Sequence, residues 1–179
     1  MTMIQGNGLY LRPYILDDAE AVLAGANEPV GRKLTGTQMT FTMEQVVAYI
    51  ENSQIGIDDS RAGFVICLLD GTVTGEVVIN QIDTDNHSAN IRIALFTEQY
   101  FGQGLGTEAL RLMLNYGFET LNLHRISLGV YAFNPRAIHV YEKLGFKREG
   151  ILRDALYYDG NYHDEIIMSI LAHEWGSRA

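Results

Sequence analysis

Cysteine is nearly absent from this chain. Its 179 residues include one, Cys67, so no intramolecular disulfide and no multi-thiolate zinc or iron–sulfur site can form. That usage fits a reducing compartment. There are three prolines and one tryptophan, and no Pro/Gly/Ser linker, low-complexity tract or internal repeat divides the sequence. No apolar stretch approaches the length of a bilayer span. Residues 1–13 lack the basic segment followed by an apolar one that marks a secretory signal. These readings predict a cytoplasmic protein with no membrane role. Positive charge is also scarce, with 13 Lys+Arg against 22 Asp+Glu and a formal net of −9. Such a surface repels duplexes and anionic membranes, so nucleic acid is not an expected partner. The excess acid reads first as solubility, and second as a bias toward a cationic substrate such as an amine.

What is present is globular. Hydrophobic residues make up 47% and charged residues 20%, outside the disordered and fibrous classes. A single domain over residues 1–179 is expected, long enough to bury about 70% of the surface its unfolded form exposes.

Leu9-Tyr10-Leu11-Arg12-Pro13 reads as a short strand, and Asp17 or Asp18 begins an Ala-rich helix to about Ala26, broken by Asn27, Glu28 and Pro29. Gly31 to Thr40 reads as loop or broken helix. Thr42 and Gln45 have capping-box spacing ahead of a helix to about Asn52. Phe64–Leu69 and Thr72–Ile82 are β-rich runs joined by Asp70-Gly71, read as a two-residue hairpin turn. Ala89–Leu95 alternates, completing an antiparallel meander. A glycine cluster then leads into a helix over Leu105–Thr120, followed by a strand, Arg125–Tyr131. Asn134-Pro135 starts another helix that Gly145 ends. Phe146–Leu156 and Tyr162–Leu171 pair across Asp159-Gly160. The order predicts an α/β fold with a mixed, mostly antiparallel sheet of about seven strands and about four helices.

Three glycines in Gly102-Gln103-Gly104-Leu105-Gly106-Thr107 exceed the needs of a plain strand-to-helix turn. Glycine permits positive φ and close approach of a ligand. The helix start adds unpaired N–H groups and the positive end of the macrodipole, which suit a phosphate or pyrophosphate. The segment lacks the lysine of a Walker A loop. Residues 104–109 match a Rossmann string, but no Asp or Glu occurs between Leu121 and Tyr141 to hold a ribose, and a meander precedes the glycines.

Two segments carry a resemblance. Tyr100-Phe101-Gly102-Gln103-Gly104-Leu105-Gly106-Thr107-Glu108-Ala109-Leu110 is similar to the acetyl-CoA pyrophosphate loop of the GCN5-related N-acetyltransferase (GNAT) family. Asn134-Pro135-Arg136-Ala137 with Tyr141-Glu142-Lys143-Leu144-Gly145-Phe146 resembles its second cofactor motif. Within the family, the chain is most similar to the branch of ribosomal-protein N-terminal and spermidine acetyltransferases. The resemblance implies splayed central strands and acetyl-CoA as co-substrate, with no metal. It also implies direct acetyl transfer to a primary amine in a ternary complex, and a homodimer. Phe101 and Gly102 to Thr107 would receive the cofactor, and Asn134 would contact cofactor or reaction centre. Tyr141 would stand near the thioester sulfur. A phenol, pKa about 10, can protonate a departing thiolate whose thiol has pKa about 8.5. Without the motif, Tyr141 reads as a ring packed on the sheet.

Two positions depart from the pattern. Phe101 cannot make the polar contact that many relatives make there. Asn90, in Ala89-Asn90-Ile91-Arg92, stands where relatives often have a Glu that relays the amine proton, and asparagine cannot take a proton. Glu28, Asp83 or an ordered water chain are the substitutes open to the sequence, and a non-catalytic acyl-CoA-binding module is the alternative function. The histidines at 87, 124, 139, 163 and 173 show no metal-ligand spacing. Cys67 reads as core. Tyr157, Tyr158 and Tyr162 fit either an acceptor pocket or a subunit contact.

Overall fold

Two apolar clusters lie on opposite faces of one sheet, with helices packed against each. The computed structural model describes residues 3–54 and 60–176. Its strands are β1 (Ile4–Gln5), β2 (Leu9–Arg12), β3 (Arg61–Leu68), β4 (Val73–Asp83), β5 (Ser88–Leu95), β6 (Arg125–Tyr131), β7 (Lys147–Tyr158) and β8 (Asn161–Leu171). They form one sheet in the order β1-β2-β3-β4-β5-β6-β8-β7. Every neighbouring pair is antiparallel except β5 and β6. The strand beyond the expected seven is β1, whose two residues are too few to show a period.

Six α-helices occur among the described residues: α1 (Ala19–Ala26), α2 (Pro29–Thr35), α3 (Met43–Gln54), α4 (Leu105–Asn115), α5 (Pro135–Leu144) and α6 (Ala172–Gly176). The expectation of about four missed α2 and α6. Pro29 does end the preceding helix, but it also occupies the first turn of α2, which Glu28 caps through Gly31 N at 2.6 Å and Gly36 closes at φ +68. Thr42 and Gln45 make the reciprocal capping bonds ahead of α3. The helix read through Thr120 changes at Tyr116 into a wider π turn. There Gly117 packs close to the sheet: a Cβ would lie 2.7 Å from Ile126 and 2.9 Å from Ile79. The β3–β4 connection is also longer than two residues. Gly71 N bonds Leu68 O and Leu68 N bonds Thr72 O, so Leu69, Asp70 and Gly71 form the loop, with Gly71 at φ +91.

Phe64 and Ile66 face one core with Leu110, Met113, Ile126 and Met168. Val65 and Cys67 face the other, with Tyr14, Val22 and Ile50. A strand buried on both faces reads as the continuous apolar run seen at 64–67. Cys67 has no exposed surface, and burial pushes its thiol up.

One polar bridge ties β7 across β8 to β6. The β7–β8 register shifts between Arg148 and Gly150, and the extra residue, Glu149, is re-aimed as bulged residues are. Its carboxylate accepts from Arg125 at 2.8 and 2.5 Å and from Ser169 Oγ at 2.6 Å. Those bonds, Arg125 first, lower its pKa from 4.5 to about 2. A carboxylate lowered on folding stabilises above its unfolded pKa and ceases to do so as pH falls through the folded value. Glu149→Gln is therefore expected to flatten the loss of thermal midpoint between about pH 4.5 and 2. Calorimetric melts across that range check this, and unchanged acid sensitivity would contradict it.

Candidate active site

The sheet opens where β5 and β6 part. They pair only at Ser88↔Arg125, Ala89↔Ile126 and Asn90↔Ser127. Beyond those positions, the strands run on to Leu95 and Tyr131 unpaired with each other. A cleft of about 520 Å³ occupies the gap, a size suited to a small-molecule site. Backbone groups along a parted edge need partners, so an extended ligand can lie there in the manner of a strand.

The glycine turn forms one end of the cleft. Gly102 and Gly104 have φ of +73 and +81, and a Cβ on either would meet nothing within 4 Å. Conformation, not room within the protein, therefore demands glycine at both. Gly104 is the N-cap of α4 and offers no capping side chain. Glu108 N to Gly104 O, at 3.0 Å, is the first helical bond. The amides of Leu105, Gly106 and Thr107 precede it and are left for a ligand at the positive end of the helix. Phe101, Gly102, Gly104, Leu105, Gly106 and Thr107 all line the cleft. Gln103 does not; its side chain turns back to donate to the Gln99 carbonyl, which leaves only its backbone for a ligand. Phe101 has a role that its lack of polar atoms concealed. The Arg136 guanidinium lies over its ring, 3.9 Å from the centroid, a cation–π contact that holds a positive charge beside the turn.

The wall formed by α5 follows from Asn134-Pro135. Asn134 Oδ1 accepts from Ala137 N at 3.2 Å with Pro135 in the first turn, and Gly145 closes the helix at φ +100. This fixes Tyr141 two turns along, edge-on to Phe146. Asn134 and Tyr141 both line the cleft. Tyr141 is 9% exposed, and its hydroxyl has no hydrogen bond to a described residue. Burial lifts the phenol from 10.0 to about 12, so it stays a proton donor across ordinary pH.

The remaining wall is the sheet face turned away from α4. Asn90 and Arg92 of β5, Gly129 and Tyr131 of β6 and Glu165 of β8 line it, with α2 above. Glu165 is the carboxylate that the sequence reading missed as a site residue. Pairing of β8 with β6 sets it opposite Tyr131, and its carboxylate lies across Gly129, where a Cβ would collide with it. The substitutes considered for Asn90 are elsewhere. Glu28 spends its carboxylate on the cap of α2. Asp83 accepts from the side chain and backbone of Asn86 in the β4–β5 turn, bonds that lower its pKa. Neither lines the cleft, and neither do Tyr157, Tyr158 and Tyr162. Tyr157 and Tyr162 pack together near the tip of the β7–β8 hairpin, their ring centroids 4.9 Å apart, and both are exposed.

Residues 8–147 match the family model described as an acetyltransferase (GNAT) domain. The chain belongs to the GNAT family. As a GNAT domain it has close kin among curated and solved proteins. It is 38% identical over 119 residues to spermidine N(1)-acetyltransferase of Escherichia coli (strain K12), a match covering 66% of this chain and 62% of that protein. It is 33% identical over 122 residues to spermidine N(1)-acetyltransferase of Vibrio cholerae, covering 68% of this chain and 70% of that one. The crystal structure of spermidine N-acetyltransferase from Vibrio cholerae in complex with CoA and spermine superposes with a TM-score of 0.87 at 26% identity, over 95% of this chain and 99% of that one. The GNAT fold, with an eight-stranded sheet parted between β5 and β6, is therefore the architecture of this chain. Among the described residues, no helix is long and apolar enough to cross a membrane.

Proposed function

We propose that this protein transfers the acetyl group of acetyl-CoA directly to a primary amine, with both substrates in the cleft between β5 and β6. The observation that carries the reading is the joining of a bare glycine helix start to a buried Tyr141, whose hydroxyl bonds no described residue, in one cleft. The residues present suit the co-substrate: positive-φ glycines with no Cβ, free α4 amides for a diphosphate, and Arg136 for a phosphate charge. Acetyl-CoA supplies a thioester whose acyl carbon takes the amine nitrogen and whose sulfur leaves as thiolate.

The chain's own groups do the rest. Unpaired amides of β5 align the extended arm and can donate to the acyl oxygen as negative charge builds there. Tyr141 hydrogen-bonds the leaving sulfur as it becomes a thiolate and can pass it the phenolic proton, which solvent then restores to the phenol; the raised pKa keeps the phenol protonated between turnovers. Glu165 receives the acceptor's nitrogen on the opposite side and draws off its proton toward solvent. Asn90, which cannot do so, keeps the position polar and can hold water. A homodimer and a cytoplasmic location belong to the same reading. The kinship with spermidine acetyltransferases supports an amine acceptor.

Calorimetry with coenzyme A and a thiol-release assay with acetyl-CoA over a panel of amines test the proposal. Failure of coenzyme A to bind at millimolar concentration would remove it. Binding without turnover on any amine would favour an acyl-CoA-binding module. Arg136→Ala is expected to weaken coenzyme A binding about tenfold, the lower end for a charged hydrogen bond at an exposed site. An unchanged affinity would show that Arg136 does not meet the phosphates.

A further inference from the structure

The charge inside the cleft runs against the charge of the chain. The protein carries a formal net of −9, yet the charged side chains lining the cleft are two arginines, Arg92 and Arg136, and one glutamate, Glu165. Of the described acidic side chains, Glu165 alone lines the cleft. Arg136 is held over Phe101 at the glycine end, which leaves Arg92 and Glu165 at the acceptor wall.

These two are placed by the splay. Arg92 follows Asn90, the last β5 residue paired with β6, by two positions, so it shares Asn90's face and points to the same side. Glu165 sits across β6, beside Tyr131. Both charges act on the Tyr131 phenol, whose pKa is raised first by burial: Glu165 adds to the rise and Arg92 opposes it. They flank one ring yet form no ion pair with each other, and neither side chain has a hydrogen bond or ion pair to any described residue. The nearby charges are committed differently. Glu76 accepts from Tyr14 at 2.8 Å, and Arg61 donates to Tyr49. Arg92 also lines a smaller cavity of about 130 Å³ shared with Glu76, Arg61 and Asn80. There the carboxamide oxygen of Asn80 is buried and has no hydrogen-bond partner among the described residues. The acceptor side thus extends past Arg92, with room for a ligand group.

Resting on the acetyl-transfer reading above, we propose that the acceptor is an amine that also carries a carboxylate, its nitrogen received by Glu165 and its carboxylate by the Arg92 guanidinium. A separated, unspent cation and anion on one wall match a zwitterion. A polyamine would meet Arg92 as a like charge, which disfavours it. An arginine–carboxylate contact of this kind contributes about 10- to 100-fold in affinity.

The test compares, at each chain length from two to six carbons, the ω-amino carboxylate, the diamine and the plain alkylamine, by kcat/KM in the thiol-release assay. The amino carboxylate is expected to exceed the alkylamine by about tenfold or more at the best length, and the diamine to fall below both. In Arg92→Gln that preference collapses through KM, and in Arg92→Glu it turns toward the diamine. Arg92→Lys keeps the sign of the preference and guards against a variant that fails to fold, as the thermal midpoint of each reports. A diamine preferred by the wild type, or a preference unmoved in Arg92→Glu, overturns the inference while acetyl transfer to amines stands. Coenzyme A binding with no turnover on any amine overturns both.

Discussion

Tyr141→Phe lowers kcat by about 10²- to 10⁴-fold, the usual contribution of a positioned proton donor, if the phenol protonates the leaving sulfur. The substitution removes one oxygen that makes no hydrogen bond to a described residue. The ring keeps its edge contact with Phe146, so little stability should be lost. The pH dependence is equally specific. Transfer needs the protonated phenol and the neutral amine. With the phenol at about 12, its loss of proton cannot limit the rate below about pH 10, while neutral amine becomes more abundant as pH rises toward the amine's own pKa. The wild-type rate should therefore climb with pH and show no Tyr141-dependent fall below pH 10. Rate profiles of both proteins check this. A variant retaining half the wild-type rate would assign the proton to another group.

Asp18→Ala is expected to have the largest effect on stability, about 3 kcal/mol, at the low end for breaking a buried ion pair because Arg12 keeps some solvent contact. Asp18 is 3% exposed and joins Arg12 through two bonds of 2.7 Å. It also accepts from Ile15 N at 2.9 Å. Removing it strands a half-buried guanidinium and a turn amide together at the junction of β2 with the first helices. For a chain of this size, that is a fall in Tm of about 6–12 °C, read by calorimetry. A fall under 2 °C would mean that water replaces the carboxylate fully.

The elements that the sequence disclosed are those with local causes. Asn134, Pro135 and Gly145 bound α5 by cap chemistry, and Arg125–Tyr131 is a strand whose alternate residues Ile126, Leu128 and Val130 are buried. The glycines at 102 and 104 declared themselves because their φ values are open to few other residues. Phe101 and Arg136 lay in two segments already singled out, but nothing in either string reveals that they touch. Glu165 and Arg92 were beyond such reading. They are 73 residues apart and become neighbours of Tyr131 only because β8 crosses to lie beside β6. Glu28 and Asp83 looked equally available as bases, yet each is consumed by a local turn or cap. Net charge was silent in the same way on which charges line the cleft, since a total says nothing about where acids gather.

A ladder of three positions between β5 and β6 is what pairs the two halves of the sheet. A molecule bonded to both parted edges acts as a splint, so its occupancy and the durability of the fold are linked quantities. At a hundred times its dissociation constant, such a splint adds about 2.7 kcal/mol to the native state. Under the proposed acetyl transfer, the chain loaded with acetyl-CoA would be sturdier than the empty chain.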